Sequence, residues 1–280
     1  MPDEKRGNED QKHTLKQNYQ LQDPHQQEKS TNICHTLDTL PISLEQPYCE
    51  YVRKYIYGTN SMDIVCTVNN HDIVYSDIIW LQQATSRRQY LNDNIINAYM
   101  SILQKENDER CKQESGKLNS IIYNTHFFFR LFDGGETQEF RYENVRRWWR
   151  SVDIFSLNKM FFPVHIKIGY YEHWTLVVAS VQNKWIDYYD SLGGNGEYWV
   201  RGVLEYISLK WKDKNDCIPF NRQEWIMNYS SSHDVPQQKN GWDCGVFICL
   251  FTYLLLQEKE LLFSQSQVNE HVRGKLQFQY

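Results

Sequence analysis

Residues 235–256 read VPQQKNGWDCGVFICLFTYLLL, a polar loop that opens directly into a continuous apolar run. The apolar run predicts a buried helix, because it falls well short of the ~20 residues that a membrane span requires. Cys244 stands at the start of this helix, where the helix dipole and the unpaired amides of the first turn favour a thiolate. This position indicates a nucleophile. Cys249, deeper in the same run, is typical of a small core residue.

Three residues near Cys244 in the sequence also have expected roles in such a site. Gly245 is expected to leave room beside the sulfur for a substrate backbone, because it has no side chain. Gln238 can bring an amide N–H next to the backbone N–H of Cys244, as an acyl-transfer site requires for a developing oxyanion. Asp243 is predicted to be the helix N-cap, with a carboxylate that accepts hydrogen bonds from helix amides.

A cysteine nucleophile also needs a base, and His173 is the best placed of the nine histidines. It comes directly before the predicted strand WTLVVASV, at a loop-to-strand junction where functional side chains are often displayed. His165 lies inside the predicted strand FFPVHIKI, where a structural histidine is the more common finding. The sequence therefore favours His173 as the base.

The acid that orients this base is expected at the end of the next strand. Residues 174–181 and 184–189 predict a hairpin, since only the polar pair Gln182-Asn183 separates them. The hairpin returns the chain to His173 at Asp190, whose carboxylate is expected to accept from the imidazole Nδ1–H, fix the tautomer and stabilise the imidazolium. Asp187 is the rival acid.

The pattern of apolar residues predicts the remaining elements. Helical spacing predicts helices at 93–106, 143–150 and 199–212, and β-branched and aromatic runs predict strands at 161–168 and 224–229. Helices and strands alternate without a strict βαβ rhythm. The predicted fold class is therefore α+β.

Composition bounds the function classes. The chain has 280 residues, of which 41% are hydrophobic, and residues 1–45 are polar without a sustained period, so we expect a disordered tail followed by one domain over 46–280. A net charge of −5 argues against nucleic-acid binding. No signal peptide or membrane span is visible, which predicts an intracellular protein. The seven scattered cysteines predict neither disulfides nor a metal site, and we expect no cofactor.

Six segments occur in the order found in the sentrin/SUMO-specific proteases: YLNDNIINAYM (90–100), RRWWRSVDIF (146–155), PVH (163–165), HWTLVV (173–178), YYDSLGG (188–194) and VPQQKNGWDCGVF (235–247). Over about residues 62–275 the chain resembles the catalytic domain of these ubiquitin-like-protein-specific cysteine proteases. The resemblance implies a papain-like cysteine protease superfamily fold, with a mixed central sheet and the nucleophile at the N-terminus of a buried helix. It also implies the site roles: a triad of His173, Asp190 and Cys244, the oxyanion-hole glutamine Gln238, and Trp174 as the roof of a narrow channel for the modifier's Gly-Gly tail.

The sequence departs from the family's pattern at three places. Tyr90 stands where the family usually has Trp, so the other wall of the channel is expected to be smaller or to bear a hydroxyl. Trp242 replaces a residue that is often small or polar. The stretch IKIGYYE between His165 and His173 is a few residues longer than usual. None of these changes removes a catalytic group.

The sequence thus predicts a thiol-dependent protease that cleaves after the C-terminal Gly-Gly of a SUMO-like modifier, in deconjugation, precursor processing or both. The alternatives are a deneddylase-like protease for another ubiquitin-like modifier and a non-catalytic domain that only binds the modifier. The segment RRWWRSVDIF favours the SUMO branch, and the intact site set favours catalysis. The expected partners are the modifier and its conjugates, with neither nucleic acid nor membrane. We expect a monomer in the nucleus or cytoplasm, and the resemblance favours the nucleus.

Overall fold

A mixed five-stranded sheet organises the protein, with helices packed on both of its faces. The structure, a computed structural model, describes residues 61–79, 90–133, 139–168, 170–230 and 235–268. The predicted tail over residues 1–45 lies outside these ranges. The described helices and strands are, in chain order, β1 (Ile64–Val68), β2 (His71–Val74), α1 (Tyr75–Ile79), α2 (Asp93–Gln113), β3 (Ile121–Ile122), α3 (His126–Leu131), β4 (Met160–Ile168), β5 (Tyr171–Ser180), β6 (Trp185–Tyr189), α4 (Glu197–Lys214), β7 (Ile226–Asn228), α5 (Cys244–Leu256) and α6 (Gln265–Gln267).

The central sheet has the strand order β3-β4-β5-β6-β7, and a separate antiparallel hairpin is formed by β1 and β2. Strands β4, β5 and β6 form an antiparallel meander, while β3 and β7 add parallel strands at the two edges. The predicted hairpin is confirmed, with Leu176 opposite Tyr189 and Ser180 opposite Trp185. The α+β class with a mixed central sheet is likewise confirmed.

Successive residues of β5 point into two different cores, as the strand period requires. Leu176 and Val178 face α2 and α5, in a core that is mostly aliphatic. Val177 and Ala179 face α3 and α4, in a core rich in aromatic rings. Both faces of β5 are therefore covered, which explains why its sequence is a nearly continuous apolar run rather than an alternating one.

Helix α5 is buried along almost its whole length, as its composition predicts. It lies against the sheet with its first residue, Cys244, at the end where β5 begins and β6 ends. Within the described residues, no helix combines the length and the apolar character that crossing a bilayer would need.

Helix α2 is longer than its apolar spacing predicts, because tertiary contacts hold its polar second half. It begins as expected at the cap Asn92, whose side chain accepts from the backbone N–H of Ile95, but it runs to Gln113 instead of ending near residue 106. The buried Asn107 donates to the backbone carbonyl of Ser120 at 3.1 Å. Arg110 donates to the backbone carbonyl of Leu256 at 2.7 Å, which ties α2 to the end of α5.

The predicted helix over residues 143–150 is wrong. The segment forms a 3₁₀ turn at Tyr142–Asn144 and then a series of turns. Trp149 has a φ of 54°, in the left-handed region that interrupts a helix. Lys210, on α4, donates to the backbone carbonyls of Arg146 and Trp148, at 2.8 and 2.9 Å. These are carbonyls that a continuing helix would use for its own hydrogen bonds.

The strand predicted over residues 224–229 is shorter in the structure, where β7 covers only Ile226–Asn228. Glu224 belongs instead to a 3₁₀ turn, Arg222–Glu224, whose cap Asn221 accepts from the backbone N–H of Gln223. The turn brings Glu224 to Lys184 in an ion pair, next to Trp185 and Ile226, the first residue pair of β6 and β7.

Candidate active site

The open end of the β5–β6 hairpin brings His173 and Asp190 together. His173 lies inside β5, two residues from its start, so the prediction of a loop-to-strand junction is wrong. Its Nε2 is 2.7 Å from Oδ1 of Asp190, and both side chains are buried, at 1% and 0% exposure. A rigid strand rather than a loop therefore holds the imidazole.

The ring nitrogen that meets Asp190 is Nε2, not the expected Nδ1. The register of the hairpin explains the difference. Because Leu176 pairs with Tyr189, the next residue along, Asp190, falls opposite Thr175 and is diagonal to His173. Diagonal neighbours lie ~7 Å apart, so the bond is made by the distal nitrogen of the ring.

Asp190 is held in place by the turn that follows it. Its Oδ1 accepts from the backbone N–H of Leu192 at 2.8 Å and its Oδ2 from that of Gly194 at 3.0 Å. Gly193, between them, has a φ of 74°, a conformation that glycine adopts without strain. The sequence SLGG thus folds the chain into a turn that presents two amides to a buried carboxylate.

The imidazole of His173 also forms a hydrogen bond with Cys244. Burial by itself would lower the pKa of His173, but its hydrogen bonds to Asp190 and Cys244 and the negative charges of these two groups outweigh burial and raise the pKa to about 9. The imidazolium is therefore the stable form at neutral pH. A positive ring between a carboxylate and a sulfur is the arrangement that a thiolate nucleophile requires.

Cys244 is the first residue of α5 and is 1% exposed. Asp243 occupies the N-cap position, but the prediction that its carboxylate caps the helix is wrong, since its side chain makes no cap hydrogen bond. Its Oδ2 accepts instead from Asn240 at 2.6 Å and from Gln265 at 2.7 Å. These donors hold the carboxylate, so the amides of the first turn are not taken by it.

Gly245 serves packing rather than substrate access, contrary to the expectation from sequence. A Cβ at this position would lie 2.9 Å from Cβ of Leu91 and 3.3 Å from Cδ1 of Ile96. The space beside Gly245 is thus filled by Ile96 of α2 and by Leu91, which lies two residues before the helix. The missing side chain lets α5 approach α2 closely, which sets the position of Cys244.

Gln238 is buried, and its side-chain amide is fixed at both ends. Its Oε1 accepts from Oγ of Ser191 at 2.6 Å, and its Nε2 donates to the backbone carbonyl of Asn240 at 2.6 Å. An amide nitrogen carries two N–H groups, of which this bond uses one. Ser191, next to Asp190, was not singled out from sequence, and its position directly after the acid is the signal that points to it.

The rival residues lie elsewhere. Asp187 accepts from Asn228 at 2.6 Å and from Tyr189 at 3.4 Å, and burial raises its pKa despite these bonds. Cys249 is fully buried in the core of α5, and burial raises the pKa of its thiol far above the ordinary value. Neither residue is in the environment that the chemistry needs.

A cleft of about 680 Å³ opens beside this buried centre, and it contains both residues expected to wall the channel. Tyr90 and Trp174 line it, and the indole Nε1–H of Trp174 donates to the backbone carbonyl of Leu91 at 3.0 Å. Leu91 also meets Gly245, as described above, so one residue connects the cleft wall to the first turn of α5. Other residues that line the cleft are Asp93, His126, Phe128, Phe129, Lys167 and Glu172.

His165 is a cleft residue that the sequence interpretation missed. It lies directly opposite Trp174 across β4 and β5, and the two rings stack with centroids 4.2 Å apart at an angle of 14°. Its Nε2 is 3.8 Å from Glu172, and burial lowers its pKa. The signal that could have found it is the short separation along the chain between these two strands, since pairing Ile168 with Tyr171 places His165 opposite Trp174.

Within the described ranges, no three His, Cys, Asp or Glu side chains are grouped so as to hold a metal ion. His173 contacts both Cys244 and Asp190, and Gln238 lies buried in the loop six residues before Cys244. A thiol paired with an imidazole and a carboxylate suits nucleophilic attack on an acyl carbon, and a primary amide is the type of donor that stabilises an oxyanion.

Comparison of the sequence with known families gives a match over residues 89–279 to the Ulp1 protease family, C-terminal catalytic domain. Sentrin-specific protease 2 of Homo sapiens is 32% identical over 186 residues, which are 66% of this chain and 29% of that protein. Ubiquitin-like-specific protease 1A of Arabidopsis thaliana is 27% identical over 248 residues, 87% of this chain and 46% of that protein. The chain thus spans less than half the length of these relatives.

Solved structures share the fold. The C-terminal Ulp1 protease domain in complex with Smt3, the yeast ortholog of SUMO, has a TM-score of 0.63 at 23% identity, with 86% of this chain and 96% of that chain covered. The Chaetomium thermophilum Ulp1-like SUMO protease catalytic domain has a TM-score of 0.63 at 18% identity, with 85% and 90% covered.

Proposed function

The chain belongs to the Ulp1 protease family, and from this premise we propose that it is a cysteine protease that cleaves after the C-terminal Gly-Gly of a SUMO-like modifier. The observation that carries the proposal is the buried row of Cys244, His173 and Asp190, with a 2.7 Å contact between the last two. Buried polar groups are costly unless paired, so a row of this kind is typical of a site under functional constraint.

In the proposed reaction, the thiolate of Cys244 attacks the carbonyl carbon of the modifier's terminal glycine. The negative charge that develops on the oxygen is stabilised by the backbone N–H of Cys244 and by the second amide N–H of Gln238. His173 then gives its proton to the leaving nitrogen, which is a lysine amine in a conjugate or a peptide amine in a precursor. The C–N bond breaks and a thioester remains.

The second half of the reaction uses the same groups in reverse. A water molecule attacks the thioester carbonyl while neutral His173 takes its proton. The C–S bond breaks, the modifier leaves with a free carboxylate, and the thiolate is paired again with the imidazolium. Asp190 holds the ring through Nε2 in both halves, so the other ring edge stays on the sulfur side.

The cleft supports the proposed substrate. A diglycine tail has no side chains and fits a slot between aromatic walls such as Tyr90 and Trp174. Phe129, 58% exposed, lines the same cleft with the charged pair Lys167–Glu172, which suits the mixed apolar and polar surface of a protein partner. We assign the body of the modifier to this cleft.

A panel of modifiers with a C-terminal thiol-reactive warhead tests this function. SUMO-type probes are expected to label Cys244, as read by peptide mass spectrometry, and ubiquitin and NEDD8 probes are expected to label it far more slowly. The Cys244→Ser protein is the control. Faster labelling by a NEDD8 probe would replace the SUMO assignment, and labelling by none of the probes would contradict the proteolytic function.

The same proposal includes the protein's state and place in the cell. We propose that it acts as a monomer in the nucleus or cytoplasm. Sedimentation of the purified chain and imaging of a tagged chain test the two statements separately, and neither result affects the assignment of the nucleophile.

A further inference from the structure

Gln265, 21 positions after the nucleophile, touches the loop that carries the oxyanion donor. Its Oε1 accepts from the backbone N–H of Lys239 at 2.8 Å, and its Nε2 donates to Oδ2 of Asp243 at 2.7 Å. Lys239 follows Gln238, and Asp243 precedes Cys244. One side chain thus holds both ends of the stretch Gln238–Asp243, which we call the oxyanion loop.

The bond to Asp243 matters because this carboxylate is buried beside the nucleophile. Asp243 is 0% exposed, and a negative charge that turned toward Cys244 would oppose the thiolate. Asn240 and Gln265 both donate to Oδ2, at 2.6 and 2.7 Å, and so fix the direction of the carboxylate. Asn240 belongs to the oxyanion loop itself, whereas Gln265 fixes the loop from outside.

A well-anchored segment delivers Gln265. The ring of Phe263 packs against Phe247 and Phe251 of α5, with centroids 5.3 and 5.7 Å apart. Ser264 and Gln267 form a capping box at the start of α6, and Val268 is 0% exposed. Residues 263–268 are therefore attached to the same helix that bears Cys244, so the amide of Gln265 is held relative to the nucleophile.

From these contacts we infer that Gln265 is a positioning residue for catalysis, which acts through the oxyanion loop and Asp243 without touching the substrate. The inference rests on the proposed hydrolysis. It assigns to the residue two tasks: keeping the Asp243 carboxylate away from the sulfur, and keeping the loop at the place where Gln238 can donate. Both tasks concern the transition state, so they bear on kcat rather than on binding.

The test uses Gln265→Ala and Gln265→Glu with a SUMO-type fluorogenic substrate. Gln265→Ala is expected to lower kcat by about tenfold or more while KM stays within about twofold, because two hydrogen bonds that hold the loop are lost. Gln265→Glu keeps the acceptor for Lys239 but places a carboxylate against Asp243. Its kcat relative to the parent is expected to recover as the pH is lowered, when one shared proton restores a donor between the two carboxylates.

Ser266→Ala is the matched control, since Ser266 lies in the same segment, is exposed, and shares a hydrogen bond with Ser264 without belonging to the capping box. Thermal melting of all variants separates folding from positioning. Equal losses of kcat in Ser266→Ala and Gln265→Ala, or a Gln265→Ala protein with the parent kcat, would overturn the inference. So would a Gln265→Glu loss that does not change with pH.

A second measurement separates this inference from the proposed function. Alkylation of Cys244 by chloroacetamide needs no modifier, and its rate against pH is followed for Cys244 by peptide mass spectrometry. The charged groups near Cys244 are His173, which bonds to it, Asp190, which bonds to His173, and Asp243, the preceding residue. Gln265→Ala removes one of the donors that hold the Asp243 carboxylate and leaves the contacts of the other two groups unchanged. The midpoint is expected to move to higher pH in this variant. An unchanged midpoint overturns the inference even if no modifier is ever cleaved.

Discussion

The buried centre and the adjacent cleft are built in opposite ways. In the centre, His173, Asp190, Cys244 and Gln238 are between 0% and 7% exposed, and short hydrogen bonds hold His173, Asp190 and Gln238. In the cleft, Phe129 and Lys167 are exposed and Glu172 is half-buried, and Nζ of Lys167 lies 2.7 Å from Oε1 of Glu172. Enclosed groups with fixed directions stabilise charge in a transition state, whereas exposed mixed surfaces recognise a partner. Changes in the centre should therefore act on kcat, and changes in the cleft on KM or specificity.

The largest effect is expected at the nucleophile. Cys244→Ser should lower kcat by ~10⁴-fold or more and leave modifier binding intact, because an alcohol in this place is not ionised by the neighbouring imidazolium. Hydrolysis of a modifier fusion and binding of the intact fusion are measured together. Cys249→Ser, in the same helix, should keep activity. Cleavage at the parent rate by the Cys244→Ser protein would show that Cys244 is not the nucleophile.

The next effect concerns the acid. Asp190→Asn should lower kcat by about 10²- to 10⁴-fold, because the amide no longer stabilises the imidazolium or selects its tautomer. Asp187→Asn, two strand positions before Tyr189 and bonded to Asn228, should lose less than about threefold. The kcat of each variant is measured by steady-state kinetics, and a melting curve of each shows whether it is folded. Equal losses would mean that both acids act through folding.

The raised pKa of His173 predicts the alkaline limb of the pH profile. The folded-state pKa is about 9 against an ordinary 6.5, so the imidazolium persists through this window and is lost as the pH rises through about 9. kcat/KM should fall as the pH rises through about 9. The stability that the charged ring contributes should decline from about pH 6.5, where the ring loses its proton in the unfolded chain, and should be lost by about pH 9. In Asp190→Asn the limb should move to lower pH. If the alkaline limb does not move in this variant, the group that titrates there is not His173.

The slot gives a smaller, substrate-dependent effect. Changing the modifier's penultimate Gly to Ala should lower kcat/KM by about tenfold or more, since the added methyl meets the walls at Trp174 and Tyr90. Tyr90→Trp should sharpen this preference. The ratio of kcat/KM for the two substrates in parent and variant is the measurement, because it cancels differences in folded fraction. A ratio near one in both proteins would argue against a diglycine slot.

The smallest effect is expected in the open part of the cleft. Phe129→Ala should raise KM by about fivefold and leave kcat unchanged, because Phe129 is a large exposed apolar side chain in the proposed interface. Leu118→Ala is the matched control, as Leu118 is 46% exposed but is not among the cleft residues. A fall in kcat for Phe129→Ala would contradict the statement that the cleft acts on KM or specificity and the buried centre on kcat.

The sequence alone predicted the features that depend on neighbours along the chain. The β5–β6 hairpin, the apolar helix α5 and the position of Cys244 at its start follow from short-range periodicity and one turn. The hairpin in turn predicted that His173 and Asp190 would meet, because strand pairing relates residues at a known register. The position of Gln238 before Cys244 suggested an oxyanion donor, to which the family resemblance added support, and the resemblance alone supplied the role of Trp174.

Only the tertiary structure decided which atoms meet. The diagonal register chose Nε2 of His173, the approach of α2 filled the space at Gly245, and the bonds from Asn240 and Gln265 took the carboxylate of Asp243 away from helix capping. Lys210 likewise turned the segment after Asn144 out of a helix. In each case two or more states of nearly equal local energy compete, and a buried partner far along the chain selects one, because an unpaired polar group in the interior costs more than the local preference gains.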